Sequence, residues 1–295
     1  MTDVPLPSRM PLVPHFSASL RRYESSQGLR VRVRRSVLFR ASIVLFAALA
    51  TSPPILSRAS DTSVIQPSSA RPPTNIVIGF VGGFVGHENS HHGPVIVARQ
   101  LRRAAPQDTY VQVFENRRRK RAYKTIIRLL DTNHDGVLSA EEKARVRIVL
   151  FGHSWGAAAA VLLARDLERD DIPVVLTVQV DSVAKPWQSD SVIPENVAEA
   201  VNFYQTHGFV HGRREIVAAD PASTEILGNY RVDYRKNPID CPLASWWDRT
   251  FTPGHMQSEC DPHLWSQIES LVTRQLSPDP TSAALPLAIQ VQPSR

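Results

Sequence analysis

Residues 148–160 read IVLFGHSWGAAAA and give the clearest structural signal in the chain. The first four residues form an apolar run typical of a strand buried on both faces, and the last four are good helix formers. Between them, residues 152–156 form a G-x-S-x-G motif centred on Ser154. A sharp strand-to-helix turn strains the serine backbone and lifts its hydroxyl above the sheet edge, while the glycines leave room for neighbouring backbone. The motif predicts Ser154 as a nucleophile, and a tight turn with a capping serine is the alternative.

Apolar and helix-like segments alternate on both sides of this motif. Strands are expected at 76–81, 110–114, 147–151, 174–180 and 197–204, and helices at 92–105, 117–130, 157–169 and 262–276. Such alternation is typical of an α/β fold with a mostly parallel sheet and helices on both faces. The chain has 295 residues, of which 42% are hydrophobic, and this is enough to build a real core.

With a strand before it, a helix after it and His153 at its second position, the motif resembles the nucleophile turn of the α/β-hydrolase superfamily, particularly its lipases and esterases. The resemblance covers residues 74–276. It implies an α/β-hydrolase fold and a serine hydrolase that cleaves carboxylic esters or thioesters through an acyl-enzyme. It implies no organic cofactor, and a small-molecule or lipid ester as the substrate.

The superfamily places its catalytic groups in the chain order serine, acid, histidine. Asp181 directly follows the expected strand 174–180, so its carboxylate could orient an imidazole. An acid so soon after the nucleophile is similar to the arrangement in pancreatic lipases. We therefore expect Asp181 to be the acid, with Asp220 in reserve and a turn-capping role for Asp181 as the alternative.

The base should lie on a loop near the C-terminal end of the domain. His255 is the expected base, because it follows Thr252-Pro253-Gly254 just before the last helix, where the superfamily keeps its catalytic histidine. His263, in the first turn of that helix, is expected to be a surface residue. The other candidates are His207 and the weaker rival His211.

The resemblance also implies two backbone N–H donors for the oxyanion of the tetrahedral intermediate. Trp155, which follows the nucleophile, fits the first donor. The turn Gly82-Gly83-Phe84-Val85 after the first strand fits the second, with Phe84 N–H as the expected donor. The superfamily's frequent His-Gly pair is replaced at this turn by Val81-Gly82.

Residues 131–142 read DTNHDGVLSAEE and match the twelve-residue EF-hand loop throughout. Gly136 takes the sharp turn at position 6, and Leu138 is the apolar residue at position 8. We expect a structural Ca²⁺ that fixes the segment leading into the nucleophile strand. A solvated acidic turn without metal and a calcium-sensing switch are the alternatives. The expected ligands are Asp131, Asn133, Asp135, the Val137 carbonyl, Ser139 and Glu142.

The N-terminal residues 1–50 are typical of an export signal or membrane anchor. A cationic stretch that includes the twin arginines Arg34 and Arg35 precedes a short apolar run at 41–50. The following residues 51–73 are rich in Pro and Ser, which predicts a disordered linker, and residues 277–295 are expected to form a flexible tail. We expect a protein that is exported to the periplasm or secreted, or anchored through this segment.

The net charge of +6 lies entirely in residues 1–40, which hold eight Arg and two acidic residues. The rest of the chain is balanced, so the sequence does not predict nucleic-acid binding. The basic run at 117–121 is expected to be a solvated helix face, and contact with an anionic membrane surface is the alternative.

Two pairs of residues near the expected base leave alternatives open. Cys241 and Cys260 could form one disulfide in an exported protein, or stay as two buried thiols. Trp246 and Trp247 are expected to pack in the core, while an acyl pocket or a lipid-facing lid is the alternative.

A second hypothesis for the whole chain is a non-catalytic, exported calcium-binding module on a hydrolase-like scaffold. It predicts an unreactive Ser154 with no coupling to Asp181 or His255.

Overall fold

The computed structural model describes residues 72–276. The predicted export signal or anchor at 1–50, nearly all of the predicted linker at 51–73 and the predicted tail at 277–295 lie outside these residues. Within the described part of the chain, no helix is both long enough and apolar enough to cross a bilayer.

The domain is built on a sheet of parallel strands. Its eight strands are β1 (Asn75–Val81), β2 (Thr109–Glu115), β3 (Arg147–His153), β4 (Val174–Val180), β5 (Val192–Ile193), β6 (Val197–Tyr204), β7 (Val217–Ala218) and β8 (Glu225–Arg231). Six of them form the main sheet in the order β2-β1-β3-β4-β6-β8, and β5 and β7 pair separately. Every pair is parallel. The carboxyl ends of the six strands therefore meet along one edge of the sheet.

Helices cover both faces of this sheet. They are α1 (Gly93–Ala104), α2 (Arg119–Leu130), α3 (Ala140–Ala144), α4 (Trp155–Glu168), α5 (Trp246–Phe251), α6 (Pro253–Cys260) and α7 (Pro262–Leu276). Helices α1 and α7 share one buried cluster with side chains of the central strands. Helices α2 and α4 share a second cluster on the opposite face. This confirms the predicted α/β fold, with a parallel sheet and helices on both faces.

The central strands are the long apolar runs in the sequence, and β1 is buried along its whole length. Strand β8 was not predicted, because its sequence EILGNYR is polar at several positions and is interrupted by Gly228. It lies at the edge of the sheet, pairs only with β6 and stays half-exposed, so it does not need a continuous apolar run.

Helix α6 corrects the expectation that His255 lies in a loop. Pro253 and Gly254 open a helix here instead of interrupting one. Proline suits the first helical position because the missing N–H would have had no intrahelical acceptor. Gly254 packs against Gln205, whose amide a Cβ at residue 254 would strike. His255 therefore projects from a short, anchored helix.

Candidate active site

Ser154 occupies a strained turn between β3 and α4. Its backbone has φ 57° and ψ −126°, a region that non-glycine residues rarely enter. A Cβ at Gly152 would clash with the backbone of Gly156, and one at Gly156 would clash with the carbonyl of Phe80. The two glycines thus let α4 begin directly behind the sheet. The turn leaves Ser154 only 7% exposed, at the carboxyl end of β3.

The structure brings Ser154, His255 and Asp181 together in hydrogen-bonding sequence. His255 Nε2 lies 2.9 Å from Ser154 Oγ, and His255 Nδ1 lies 2.6 Å from Asp181 Oδ2. Because an ionised carboxylate can only accept, Nδ1–H donates to Asp181. Nε2 is then free to accept the hydroxyl proton of Ser154, as a general base must.

Asp181 is fully buried at the end of β4 and has a positive φ of 42°. Its Oδ1 accepts from the backbone N–H of Gly212 at 2.6 Å, and its Oδ2 accepts from Gln205 Nε2 at 2.7 Å. Burial by itself raises the pKa of Asp181. The hydrogen bond and charge of His255, together with the Gln205 hydrogen bond, outweigh burial and leave the pKa lowered. The carboxylate is therefore ionised at neutral pH.

Gln205 and Gly212 are residues of this site that sequence reasoning missed. Gln205 directly follows β6, the neighbour of β4, so its position beyond a parallel strand was the available signal. Gly212 has no Cβ because its backbone packs onto Asp181. Neither property gives a motif that a single sequence can reveal.

A second buried carboxylate, Glu259, lies one helical turn after His255 on α6. Glu259 forms an ion pair with His153 Nδ1 and accepts from Gly93 N–H at 3.1 Å; it also lies 2.8 Å from His92 Nδ1. The rings of His153 and His255 are in contact at a tilt of 33°, with centroids 4.6 Å apart. This cluster ties α6 to β3 and α1.

Within this cluster, His153 and Glu259 shift each other's pKa values. Burial lowers the pKa of His153, but the charge and hydrogen bond of Glu259 outweigh it and raise the pKa overall. Burial raises the pKa of Glu259, while the paired histidines His153 and His92 outweigh it and hold that pKa low. The pair is therefore stabilised in its charged form.

The expected oxyanion donors lie on two elements beside Ser154. Trp155 is the first residue of α4, so its N–H belongs to the helix-end groups without an intrahelical acceptor. A Cβ added at Gly82 would lie 2.9 Å from Ser154 Cβ, so the turn after β1 packs directly against Ser154. Phe84, in that turn, has an exposed ring that makes an edge contact with Trp155 at 5.6 Å.

The reserve candidates do not join this arrangement. Asp220 accepts hydrogen bonds from Ala222 and Ser223 within its own turn, and those bonds lower its pKa. His211 and His263 are exposed, as expected for His263. His207 contributes its backbone carbonyl, which accepts from Gly254 N–H at 3.0 Å.

The expectation that Trp246 and Trp247 pack in the core is wrong, since they are 58% and 56% exposed. Their rings stack on each other with centroids 4.1 Å apart, and the ring of Trp247 stacks on that of Phe251 with centroids 4.9 Å apart. Phe251 in turn stacks on the exposed Phe209 at 6.2 Å. We call these four side chains the aromatic patch. Helix α5 has only six residues, and its remaining positions, Asp248, Arg249 and Thr250, are polar. It therefore does not bury these rings.

A disulfide joins Cys241 to Cys260, with Cα atoms 5.8 Å apart. It closes a loop of 19 residues in sequence separation that contains α5, α6 and His255. Cross-linking a loop of this size stabilises a fold by roughly 3 kcal/mol in the chain-entropy model. The bond thus reinforces the segment that carries the histidine.

The loop at 131–142 adopts hydrogen bonds that suit its sequence. Asp131 Oδ2 accepts from Gly136 N–H at 3.2 Å, while Asp131 Oδ1 is buried without a hydrogen-bond partner. Gly136 has φ 80°, as the sharp turn requires. Among the described residues, no three His, Cys, Asp or Glu side chains converge on one point as metal ligands do.

Glu142, the last expected ligand, is occupied elsewhere in this loop. Its carboxylate accepts from Ser139 N–H at 3.0 Å, which completes the capping box that starts α3, and also from Thr132 N–H at 2.8 Å. These backbone hydrogen bonds lower the pKa of Glu142 to about 2. The donor set consists of oxygen atoms only, which is the chemistry that Ca²⁺ prefers.

Residues 111–222 match the family model described as lipase (class 3), a stretch that includes Ser154 and Asp181 but not His255. No curated protein matches the chain.

Several solved structures are similar to the chain at low identity. Human thioesterase 2 is 11% identical, with a TM-score of 0.38, over 72% of this chain and 99% of that one. A cutinase-like protein from Cryptococcus is 14% identical, with a TM-score of 0.35, over 70% and 97%. An arylesterase is 13% identical, with a TM-score of 0.26, over 38% of this chain. The match spans 37% of the arylesterase's own length.

The His153–Glu259 pair predicts a pH dependence of stability. A raised pKa of His153 contributes stability that is complete below about pH 6.5 and lost as pH rises through the folded-state pKa. A lowered pKa of Glu259 contributes stability that is present above about pH 4.3 and lost on acidification. Replacing Glu259→Gln should lower the free energy of unfolding by about 3 kcal/mol at pH 7 and flatten its decline at alkaline pH.

Urea unfolding at pH 5, 7 and 9 measures both effects. The exposed Glu215 provides a matched control, because Glu215→Gln should change the free energy of unfolding by less than about 0.5 kcal/mol. An unchanged alkaline decline in Glu259→Gln would show that His153 is not held in its charged form.

Proposed function

We propose that this protein is a serine hydrolase that cleaves carboxylic esters through an acyl-enzyme intermediate. The observation that carries the proposal is the hydrogen-bonded sequence Ser154–His255–Asp181 at the carboxyl edge of the sheet. The class 3 lipase match over residues 111–222 supports an ester as the substrate.

The geometry supports a definite role for each group. His255 Nε2 takes the proton of Ser154 Oγ as that oxygen attacks the ester carbonyl, and later returns it to the leaving alkoxide. The ionised Asp181 holds the Nδ1–H tautomer and stabilises the imidazolium that forms. The N–H groups of Trp155 and Phe84 would donate to the oxyanion. Water, activated by His255, then hydrolyses the acyl-enzyme.

The non-catalytic module is the less favoured hypothesis. A binding scaffold has no need for a serine at positive φ, because that backbone strain costs folding energy, nor for a histidine placed to accept its hydroxyl proton. Their presence together favours an enzyme.

Labelling with a fluorophosphonate tests the nucleophile directly. The wild-type protein should be labelled and should hydrolyse p-nitrophenyl esters, and Ser154→Ala should lose both properties. Asp181→Asn should lower kcat by roughly 10³-fold or more, because the amide favours the wrong imidazole tautomer.

Ser270→Ala is the matched control, since Ser270 is exposed on α7 and should keep full labelling. A folded wild-type protein that resists the label and cleaves no ester would support the non-catalytic module.

We infer further that the enzyme contacts lipid surfaces through the aromatic patch. Trp246, Trp247 and Phe251 lie on α5, immediately before the helix that carries His255. Amphipathic aromatic rings of this kind favour the interface between water and lipid. The basic residues at 117–121 are exposed except Arg119, which is ion-paired with Asp166, and they would add attraction to anionic lipid.

Vesicle co-sedimentation tests this contact. The double replacement Trp246→Ser and Trp247→Ser should reduce binding to phosphatidylcholine–phosphatidylglycerol vesicles by about tenfold, since apolar burial in the interface is lost. Trp187→Ser removes a fully exposed tryptophan outside the patch and should bind as wild type does. Equal binding by all three proteins would contradict the contact.

We propose also that the loop at 131–142 binds a structural Ca²⁺. Support comes from the match to the EF-hand loop, the oxygen-only donor set and the buried, unpartnered Asp131 Oδ1. The expected ligands are those named from the sequence, with Glu142 released from its capping role. The loop lies between α2 and β3, so the ion would stabilise the entry to the nucleophile strand and take no part in the reaction.

Thermal unfolding with and without calcium tests the site. At a calcium concentration about 100 times Kd, binding adds about 2.7 kcal/mol, which raises Tm by roughly 5–10 °C. Asp131→Asn combined with Glu142→Gln should abolish this rise, whereas Asp220→Asn should keep it. A wild-type Tm that ignores both calcium and chelator would exclude the site, and a calcium-dependent kcat at constant Tm would favour the switch.

A further inference from the structure

We propose that Asn116 and Lys185 are positioning residues for the oxyanion: Lys185 holds the buried amide of Asn116, and Asn116 fixes the peptide group whose N–H faces the reacting carbonyl. This inference rests on the function proposed above. Neither residue belongs to a motif, and the two are 69 positions apart in the chain.

Asn116 makes two contacts with the turn after β1. Asn116 directly follows β2 and is 7% exposed. Its Nδ2 donates to the carbonyl of Gly83 at 2.6 Å, and a longer contact of 3.4 Å reaches the carbonyl of Val81. One buried amide thus holds the carbonyl groups on both sides of Gly82, the residue packed against Ser154.

The carbonyl of Gly83 determines the direction of the Phe84 N–H. The carbonyl of Gly83 and the N–H of Phe84 belong to the same planar, trans peptide group, so they point in opposite directions. Fixing the Gly83 oxygen therefore fixes the direction of the Phe84 N–H, the expected oxyanion donor. Gly83 has φ +47° and open space where a Cβ would lie. Steric contacts at Gly83 therefore do not prevent the Gly83–Phe84 peptide group from rotating. Asn116 supplies the missing restraint.

Lys185 contacts both Asn116 and Trp155. Its Nζ donates to Asn116 Oδ1 at 2.7 Å and lies 4.8 Å from the centre of the Trp155 ring. Both contacts are with neutral groups, so neither cancels the ammonium charge with a carboxylate. A cation on the amide oxygen polarises Asn116 and strengthens the hydrogen bond that its Nδ2 donates.

The three loops that meet here serve different parts of the reaction. Lys185 lies on the loop after β4, which begins with Asp181, and Asn116 lies on the loop after β2. Their hydrogen bonds connect the loop of the catalytic acid to the loop of the oxyanion donor after β1. Because an oxyanion exists only in the tetrahedral intermediate, loss of this restraint should act on kcat and leave KM almost unchanged.

Kinetics on a water-soluble ester test the inference with isosteric variants. Asn116→Asp keeps the shape and still accepts from Lys185, but a carboxylate cannot donate to Gly83. It should lower kcat on p-nitrophenyl acetate by about 100-fold, as loss of one oxyanion donor does, with KM changed less than about threefold. Lys185→Met should lower kcat by about tenfold, and Lys185→Arg should restore most of that loss because guanidinium can donate to the same oxygen.

Phenylboronic acid gives a readout that a general structural defect would not reproduce. It forms a tetrahedral adduct with an active serine, so its Ki should rise in each variant by the same factor by which kcat/KM falls. Lys124→Met, which removes an exposed lysine from α2, should leave kcat and Ki at wild-type values. If Asn116→Asp fails to fold by circular dichroism, the pair Lys185→Met and Lys185→Arg decides the question.

The outcomes separate this inference from the proposed function. An active wild type with unchanged kcat and Ki in Lys185→Met would overturn the positioning role alone. An increase in KM with constant kcat would also overturn it, since that pattern indicates ground-state substrate binding. A wild type that neither hydrolyses esters nor takes the fluorophosphonate label would overturn the proposed function, and the present inference with it.

Discussion

The backbone at Ser154 can keep its unfavourable conformation only because α4 starts directly against the sheet. Gly152 and Gly156 make this approach possible, since a Cβ on either would strike main-chain atoms. The backbone N–H of Ser154 donates to the Val180 carbonyl at 2.9 Å, which locks the turn to the neighbouring strand. Everything else at the site is arranged around this fixed hydroxyl, because a side chain on a rigid turn gives its partners a constant target.

Burial of charge is the second theme of the molecule. Asp181 within the site and Glu259 next to it are both buried carboxylates, and each stays ionised through hydrogen bonds and a neighbouring imidazole. Their partners differ, because Asp181 faces His255 while Glu259 pairs with His153 and His92. Asp181 therefore anchors α6 through His255, and Glu259 anchors the same helix through His153 and His92, so the position of His255 depends on both carboxylates.

The fold was largely predictable from the sequence because the buried strands are long and apolar. The turn at Ser154 and the strand before Asp181 gave equally direct signals, since motif and strand end coincide there. His255 could be placed by chain order, but the helix around it could not, because Pro253-Gly254 is as typical of a loop as of a helix start. Edge strand β8 lacked an apolar run.

The remaining contacts of the site depend on tertiary structure. Gln205 and Asn116 each lie just beyond a strand and act through one amide, a residue type with many roles in polar loops. Their positions become meaningful only when the parallel sheet brings its carboxyl ends together. The exposure of Trp246 and Trp247 was likewise hidden, because composition alone favours burying such large rings.

The cross-link between Cys241 and Cys260 turns the part of the chain that carries His255 into a closed ring. A protease that cut once inside this ring would leave both halves covalently attached. The cut segment that carries His255 would stay attached to the rest of the protein. Such a ring tolerates damage at the protein surface in a way that an open loop of the same length does not, which suits a segment whose exposed face is as apolar as this one.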